Sequence, residues 1–105
     1  MTRGDLVVVS LAGDYGKPRP ALVIQADRFA EHPSITVLPI TSYLVDAPLL
    51  RIDIGPDNGL DRPSQIQIDK PQTPRRERIG AVIGRADDAT LVAVNRALTV
   101  FLGLV

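Results

Sequence analysis

Apolar positions along this chain follow two rhythms, short β-like runs first and a helical stripe last. Leu6-Val7-Val8-Val9 is a β-branched run that predicts a first strand, ended by Gly13 and Gly16. The stretch from Ala12 to Pro18 carries two glycines, Asp14 and Lys17 and reads as a loop. Pro20-Ala21-Leu22-Val23-Ile24 predicts a second strand, with proline tolerated at its first position. Asp27 to Pro33 reads as a turn or a single turn of helix. Ile35 to Ile40 is a third strand that is expected to leave regular pairing at Pro39, and Leu49 to Ile54 is a fourth. The dense turn signal Gly55-Pro56-Asp57-Asn58-Gly59 closes it. Ser64 to Asp69 alternates strictly, with Ile66 and Ile68 on one face and Gln65, Gln67 and Asp69 on the other. Arg78 to Ile83 gives one more short strand.

The period then changes. Asp87 or Asp88 can cap a helix starting near Ala89, since a carboxylate suits the positive end of the helix dipole. Leu91, Val94, Leu98, Phe101, Leu102 and Val105 recur at helical spacing as one apolar stripe. Short turn-bounded strands followed by one helix predict a mainly β fold: a strongly bent antiparallel sheet or small barrel with a C-terminal α-helix. At 105 residues, with no repeat and no long linker, a single domain spanning 1–105 is expected. Aromatic residues make up only 4% of the chain and Trp is absent, so the core must be built from Val, Ile, Leu and Ala.

Composition removes many functions. The chain has no Cys, which excludes disulfides, thiolate metal sites and thiol catalysis. No basic-then-apolar leader opens it, and its apolar runs are too short to span a bilayer, so a soluble cytoplasmic protein without a membrane partner is expected. Its 12 basic and 12 acidic residues cancel, which argues mildly against a nucleic-acid binder. The distribution is uneven, however. Between Lys70 and Arg85, five cations (Lys70, Arg75, Arg76, Arg78 and Arg85) face Glu77 alone, as either a solvated loop or a binding patch.

Few residues are left to carry chemistry. The single His32 lies beside Pro33 in a loop, and the acidic residues form no paired motif. No GxSxG, P-loop, HExxH or glycine-rich dinucleotide turn occurs. Neither a metal nor an organic cofactor is expected. Three local features remain. Prolines on either side hold Arg19 in Lys17-Pro18-Arg19-Pro20 at a strand's entrance, where it can act or merely keep an edge soluble. Thr41 and Ser42 place adjacent hydroxyls at a strand end, either as phosphate donors or as an ordinary turn. Gln65, Gln67 and Asp69 form a polar face that is either functional or simply solvated.

Taken in order, these segments resemble one family. Arg3-Gly4-Asp5 followed by the first strand is similar to the start of MazF/PemK toxins. Arg19 to Gln25 is similar to that family's RPALVI strand, and Ser34 to Ser42 to its strand ending in PIT. Ser64 to Thr73 resembles its next conserved strand-and-turn segment. Ile79 to Ala89 and the closing helix through Leu104 resemble its C-terminal part, so the likeness covers nearly the whole chain.

The resemblance implies an SH3-like barrel of the PemK/CcdB type, working as a homodimer and neutralised by a cognate antitoxin protein. It implies metal-independent, sequence-specific cleavage of single-stranded RNA, leaving 2′,3′-cyclic phosphate and 5′-hydroxyl ends. The family's essential arginine falls on Arg19 and its essential threonine on Thr41. An arginine and an aspartate used two apart in one branch fall on Gln67 and Asp69, so the acid matches and the arginine does not. Asp69 is therefore the candidate general base. RNA contacts are expected from Lys17, Ser42, Gln67, Lys70, Arg75, Arg76 and Arg78, with Tyr15 and Tyr43 as stacking surfaces. Two other readings share this fold. One is a CcdB-like, non-enzymatic gyrase poison, although the Trp that marks the binding tail of that group is absent here. The other is a catalytically silent binding module.

Overall fold

A computed structural model describes residues 1–11 and 17–104 of the chain. Six strands are present: β1 (Asp5–Ser10), β2 (Pro18–Val23), β3 (Val37–Thr41), β4 (Arg51–Ile54), β5 (Ser64–Gln67) and β6 (Ile79–Arg85). One helix, α1 (Asp88–Phe101), follows. The strands form one antiparallel sheet in the order β4-β5-β3-β2-β1-β6, so the expected bent sheet with a terminal helix is what the chain builds. Expected Tyr15 and Val105 lie outside the described residues, as does most of the predicted first loop.

Alternation along β1 separates two apolar layers. Leu6 pairs with Leu22 and faces a core of Leu38, Ile40, Ile66, Ile68 and Val94, whereas Val7 and Val9 face a second cluster with Ala21, Val23, Ile35 and Val37. Both layers are aliphatic, as the scarcity of aromatics requires. The helix docks on the first layer. Val94 is its one fully buried residue, an anchor worth about 1.5–3 kcal/mol, with Leu91, Ala97 and Leu98 packed beside it. Asp87 caps it, accepting from the Thr90 amide at 2.7 Å. That hydrogen bond, with smaller help from the Thr90 and Asn58 side chains, holds the Asp87 carboxyl below the usual carboxylate range. The cap's contribution is therefore present above the ordinary carboxyl pKa and is lost as acid protonates the folded form.

The Arg3-Gly4-Asp5 start is a brace. Arg3 donates from Nε to the Ile24 carbonyl at 2.8 Å and from Nη2 to Asn95 Oδ1 at 2.7 Å, tying the entry of β1 to both β2 and α1. Arg85 in turn pairs with Asp5 at 3.0 Å and donates to the Arg3 carbonyl.

Several sequence expectations need correction. At Pro39 β3 leaves β2, in line with the expectation, but it stays paired within the sheet. Its ladder with β2 stops at the pair Ala21↔Pro39, and Ile40 and Thr41 then pair with Ile66 and Gln65 of β5. A residue without an N–H fits where a strand changes partners. Pro18-Arg19-Pro20 lies inside β2, with Arg19 opposite Val9, and is not a lead-in to it. The strand predicted over Ser64–Asp69 stops at Gln67, and Asp69 falls in the following turn. Of the apolar stripe on the helix, Phe101 and Leu102 are 44% and 54% exposed.

No ladder joins the end strands β4 and β6 among the described residues. The Pro56–Asn58 turn closes that seam instead, ending at Gly59 in the left-handed region (φ 105°), where a side chain is strained. Asn58 Nδ2 donates to the Arg85 carbonyl at 3.2 Å, and the turn's backbone lies flush on Gly84 of β6. The result is a barrel-like roll. Among the described residues, no helix is long and apolar enough to cross a membrane.

Candidate active site

Arg19 and Thr41 reach the site from neighbouring strands. The β2–β3 ladder ends at the pair Ala21↔Pro39, two residues short of both Arg19 and Thr41, so both stand at the open end of that ladder. Both line a groove of about 800 Å³. Val8, Pro20, Pro39, Ile40, Leu60 and Ile83 give it apolar walls, and Ser42, Gln67, Lys70 and Gln72 add polar ones.

Of the residues expected from sequence, the fold thus gathers Arg19, Thr41, Ser42, Gln67 and Lys70. It does not gather the others. Lys17 is exposed just before β2 and lines no part of the groove. Asp69 also lies outside the lining, and its Oδ1 is buried without a hydrogen-bond partner. Arg76 points its guanidinium at the carbonyls of Ala30 and His32, bracing the loop between β2 and β3. Arg75 bridges to Ser34 through the backbone, and Arg78 is exposed away from the groove. The basic run is therefore a structural and solvated segment for the most part, with Lys70 as its one contribution to the groove.

Sequence reasoning missed Asp61, Arg62 and Gln72, which also line the groove. Asp61 and Arg62 sit on the loop before β5, where nothing in local pattern distinguishes them from solvated charges. Three cations, Arg19, Arg62 and Lys70, thus face one carboxylate, Asp61. A chain of zero net charge carries a locally positive cleft, which is what an anionic ligand requires.

Hydroxyl geometry bears on the chemistry. The Tyr43 amide donates to Thr41 Oγ1 at 3.1 Å. With an oxygen lone pair so occupied, the threonine's own hydrogen is left to donate toward an oxyanion. A permanent guanidinium cation and a neutral donor on facing strand ends suit charge building up on phosphate oxygens. Among the described residues no group of three His, Asp or Glu side chains is close enough to hold a metal ion.

The chain is 46% identical over 107 aligned positions to the probable endoribonuclease MazF of Mycolicibacterium smegmatis, covering 99% of this chain and 98% of that one. The solved structure of Mycobacterium tuberculosis toxin MazF-mt6 superposes with a TM-score of 0.84 at 24% identity, covering 94% and 96% of the two chains. An endoribonuclease in complex with its cognate antitoxin, from a mycobacterial species, superposes with a TM-score of 0.85 at 22% identity, covering 100% and 97%. At those identities the two structures speak for the fold. The family described as PemK-like, MazF-like toxins of type II toxin–antitoxin systems matches residues 2–102, and with an aligned relative across its whole length the chain belongs to that family.

Proposed function

We propose that the protein is the toxin of a type II toxin–antitoxin pair and acts in the cytoplasm as a sequence-specific endoribonuclease on single-stranded RNA. The observation that carries this reading is the convergence of Arg19 and Thr41 on one positively charged groove. The ribose 2′-hydroxyl attacks its own phosphate, so the protein supplies no nucleophile and needs no metal. Arg19 stabilises the charge on the phosphorane oxygens and Thr41 donates to one of them. The new 2′ O–P bond forms as the 5′ O–P bond breaks, leaving a 2′,3′-cyclic phosphate, and the departing 5′ oxygen takes a proton from water. Asp61, the carboxylate in the groove lining, replaces Asp69 as the candidate acceptor of the 2′ proton. Lys70, Arg62 and Ser42 hold the backbone, Gln67 and Gln72 offer amides to base edges, and Tyr43, 76% exposed, offers a stacking face.

Purified protein incubated with single-stranded RNA in excess EDTA is expected to cut it, leaving cyclic phosphate and 5′-hydroxyl ends. Activity that chelation removes and Mg²⁺ restores refutes the mechanism. In the same assay, Asp61→Asn should depress the rate and Asp69→Asn should leave it near normal; the reverse result returns the base to Asp69. A gyrase poison would cut nothing, and the alignment with an endoribonuclease speaks against that reading.

The same reading includes a homodimer and a cognate antitoxin as partners. Away from the face that packs on the core, apolar groups of α1 and its C-cap stay uncovered: Val92, Val100, Phe101 and Leu102 are between 44% and 61% exposed. A patch of that kind on so small a protein marks an interface. A two-fold partner would bring two Arg19–Thr41 grooves to one RNA strand. Sedimentation equilibrium at micromolar concentration should give twice 11.3 kDa, and Val100→Asp should shift the protein toward monomer and lower cleavage. A species of 11.3 kDa with full activity would remove the dimer from this account.

A further inference from the structure

Beside Thr41 lies a polar side chain that the groove does not use. Gln65 pairs with Thr41 across β3 and β5 and with Asp53 across β5 and β4, so the three side chains share one face. Sequence alternation assigns Gln65 to an outward polar face, yet it is only 8% exposed, because the segment between β3 and β4 folds over it. Its amide engages the backbone of that segment twice. Gln65 Oε1 accepts from the Val45 N–H at 3.1 Å, and Nε2 donates to the Val45 carbonyl at 3.0 Å. Nε2 also reaches Asp53 Oδ1 at 3.3 Å.

Arg51 completes the clamp. Its Nη1 donates to Gln65 Oε1 at 3.0 Å and to the Tyr43 carbonyl at 3.3 Å. Tyr43 is therefore held at both ends of its peptide groups: its carbonyl by Arg51, and its N–H by Thr41 Oγ1 at 3.1 Å. One buried amide thus locks the segment whose N–H occupies the threonine hydroxyl.

We infer that Gln65 is a positioning residue for Thr41, acting through the segment from Tyr43 to Val45 to keep the threonine hydroxyl committed to donating into the groove. This rests on the proposed RNA cleavage. Without the clamp, the Tyr43 N–H leaves Thr41 Oγ1, the hydroxyl rotates freely, and its hydrogen is no longer directed at the phosphate. Binding of RNA draws chiefly on the groove's cations and on Gln67, which lie outside the clamped segment, so the loss falls more on turnover than on affinity.

The test uses steady-state cleavage of one RNA oligonucleotide by the full chain. Gln65→Met, of similar length but without the amide, is expected to lower kcat roughly ten- to a hundredfold, the range for a misplaced catalytic group. KM should rise by a much smaller factor than kcat falls. Hydrogen exchange of the Tyr43 and Val45 amides should rise while the rest of the sheet keeps its protection. In a Thr41→Ala background, Gln65→Met should cost almost nothing more, because the group it positions is gone. A general structural role would instead multiply the two losses, and that result overturns the proposal, as does wild-type kcat in Gln65→Met. Gln65→Glu gives a second route if the methionine variant does not fold. Its ionised form keeps the acceptor but cannot donate to Val45, so its activity relative to wild type should climb as the pH falls and the carboxyl regains a proton. A flat ratio counts against the clamp. Wild-type protein that cuts no RNA overturns the proposed function and this role together, whereas normal wild-type cleavage with unaffected Gln65 variants overturns this role alone.

Discussion

Arg19→Ala is expected to lose at least a hundredfold in cleavage rate while keeping the native fold. Removal of one charged donor to a transition-state oxyanion costs about 3–4 kcal/mol, or two to three orders of magnitude in rate. Arg19 is well suited to give the clean version of that result. It is exposed on β2 and its side chain lines the groove, so truncation leaves the buried aliphatic residues in place. Pro18 and Pro20 hold the strand's backbone dihedrals whatever stands between them. Arg19→Lys retains the charge but not the planar fork, and should fall between the two. Circular dichroism and a thermal melt establish that the fold survives. A native spectrum with undiminished cleavage would falsify the assignment of the site.

Gly84→Ala is expected to destabilise the fold strongly. The seam between β4 and β6 is closed by backbone lying on backbone. A Cβ at Gly84 would run into the Asn58 carbonyl, lying 2.9 Å from its carbon and 3.0 Å from Gly59 Cα. Those are main-chain atoms of a tight turn, not the movable end of a side chain, so the turn must lift off β6. That opens the Asn58–Arg85 hydrogen bond and loosens Leu60, which is buried in the core just beyond the turn. The cost should reach about 3 kcal/mol, the upper end for overpacking, which for a domain of this size lowers the melting temperature by roughly 12 °C or more. Gly55→Ala is the control. Its backbone is extended (φ −165°) and its new methyl would sit 3.7 Å from Pro63 Cα, an ordinary contact, so its melt should be close to wild type. Equal melts for the two variants would mean that the turn is not what closes the roll.

Because Leu60, Asp61 and Arg62 follow that turn directly and line the groove, the seam and the site are one mechanical unit. A variant that lifts the turn should therefore also weaken RNA cleavage below the melting temperature.

Much was legible along the chain. Strand and helix periods depend on the residues of one segment alone, so the six strands, the Gly55–Gly59 turn and the capped C-terminal helix could be read locally. The choice of Arg19 and Thr41 as site candidates also rested on local signals, flanking prolines and a hydroxyl pair at a strand end, which the resemblance then tied together. Pairing is not local. Whether Pro39 ends a strand or passes it to a new neighbour depended on where β5 lay. Gln65 and Gln67 share one strand face by alternation, yet the segment after β3 buries the first and leaves the second in the groove. Charges were the least legible of all. Arg76 and Asp69 lie outside the groove while Asp61 and Arg62 line it, because a side chain's charge is the same in any sequence context and its surroundings depend on what folds up against it. The chain's own order determined which elements form and which two residues stand as candidates for the chemistry. Only the tertiary structure decided what surrounds them, because a groove is made by strands that are neighbours in space and distant in sequence.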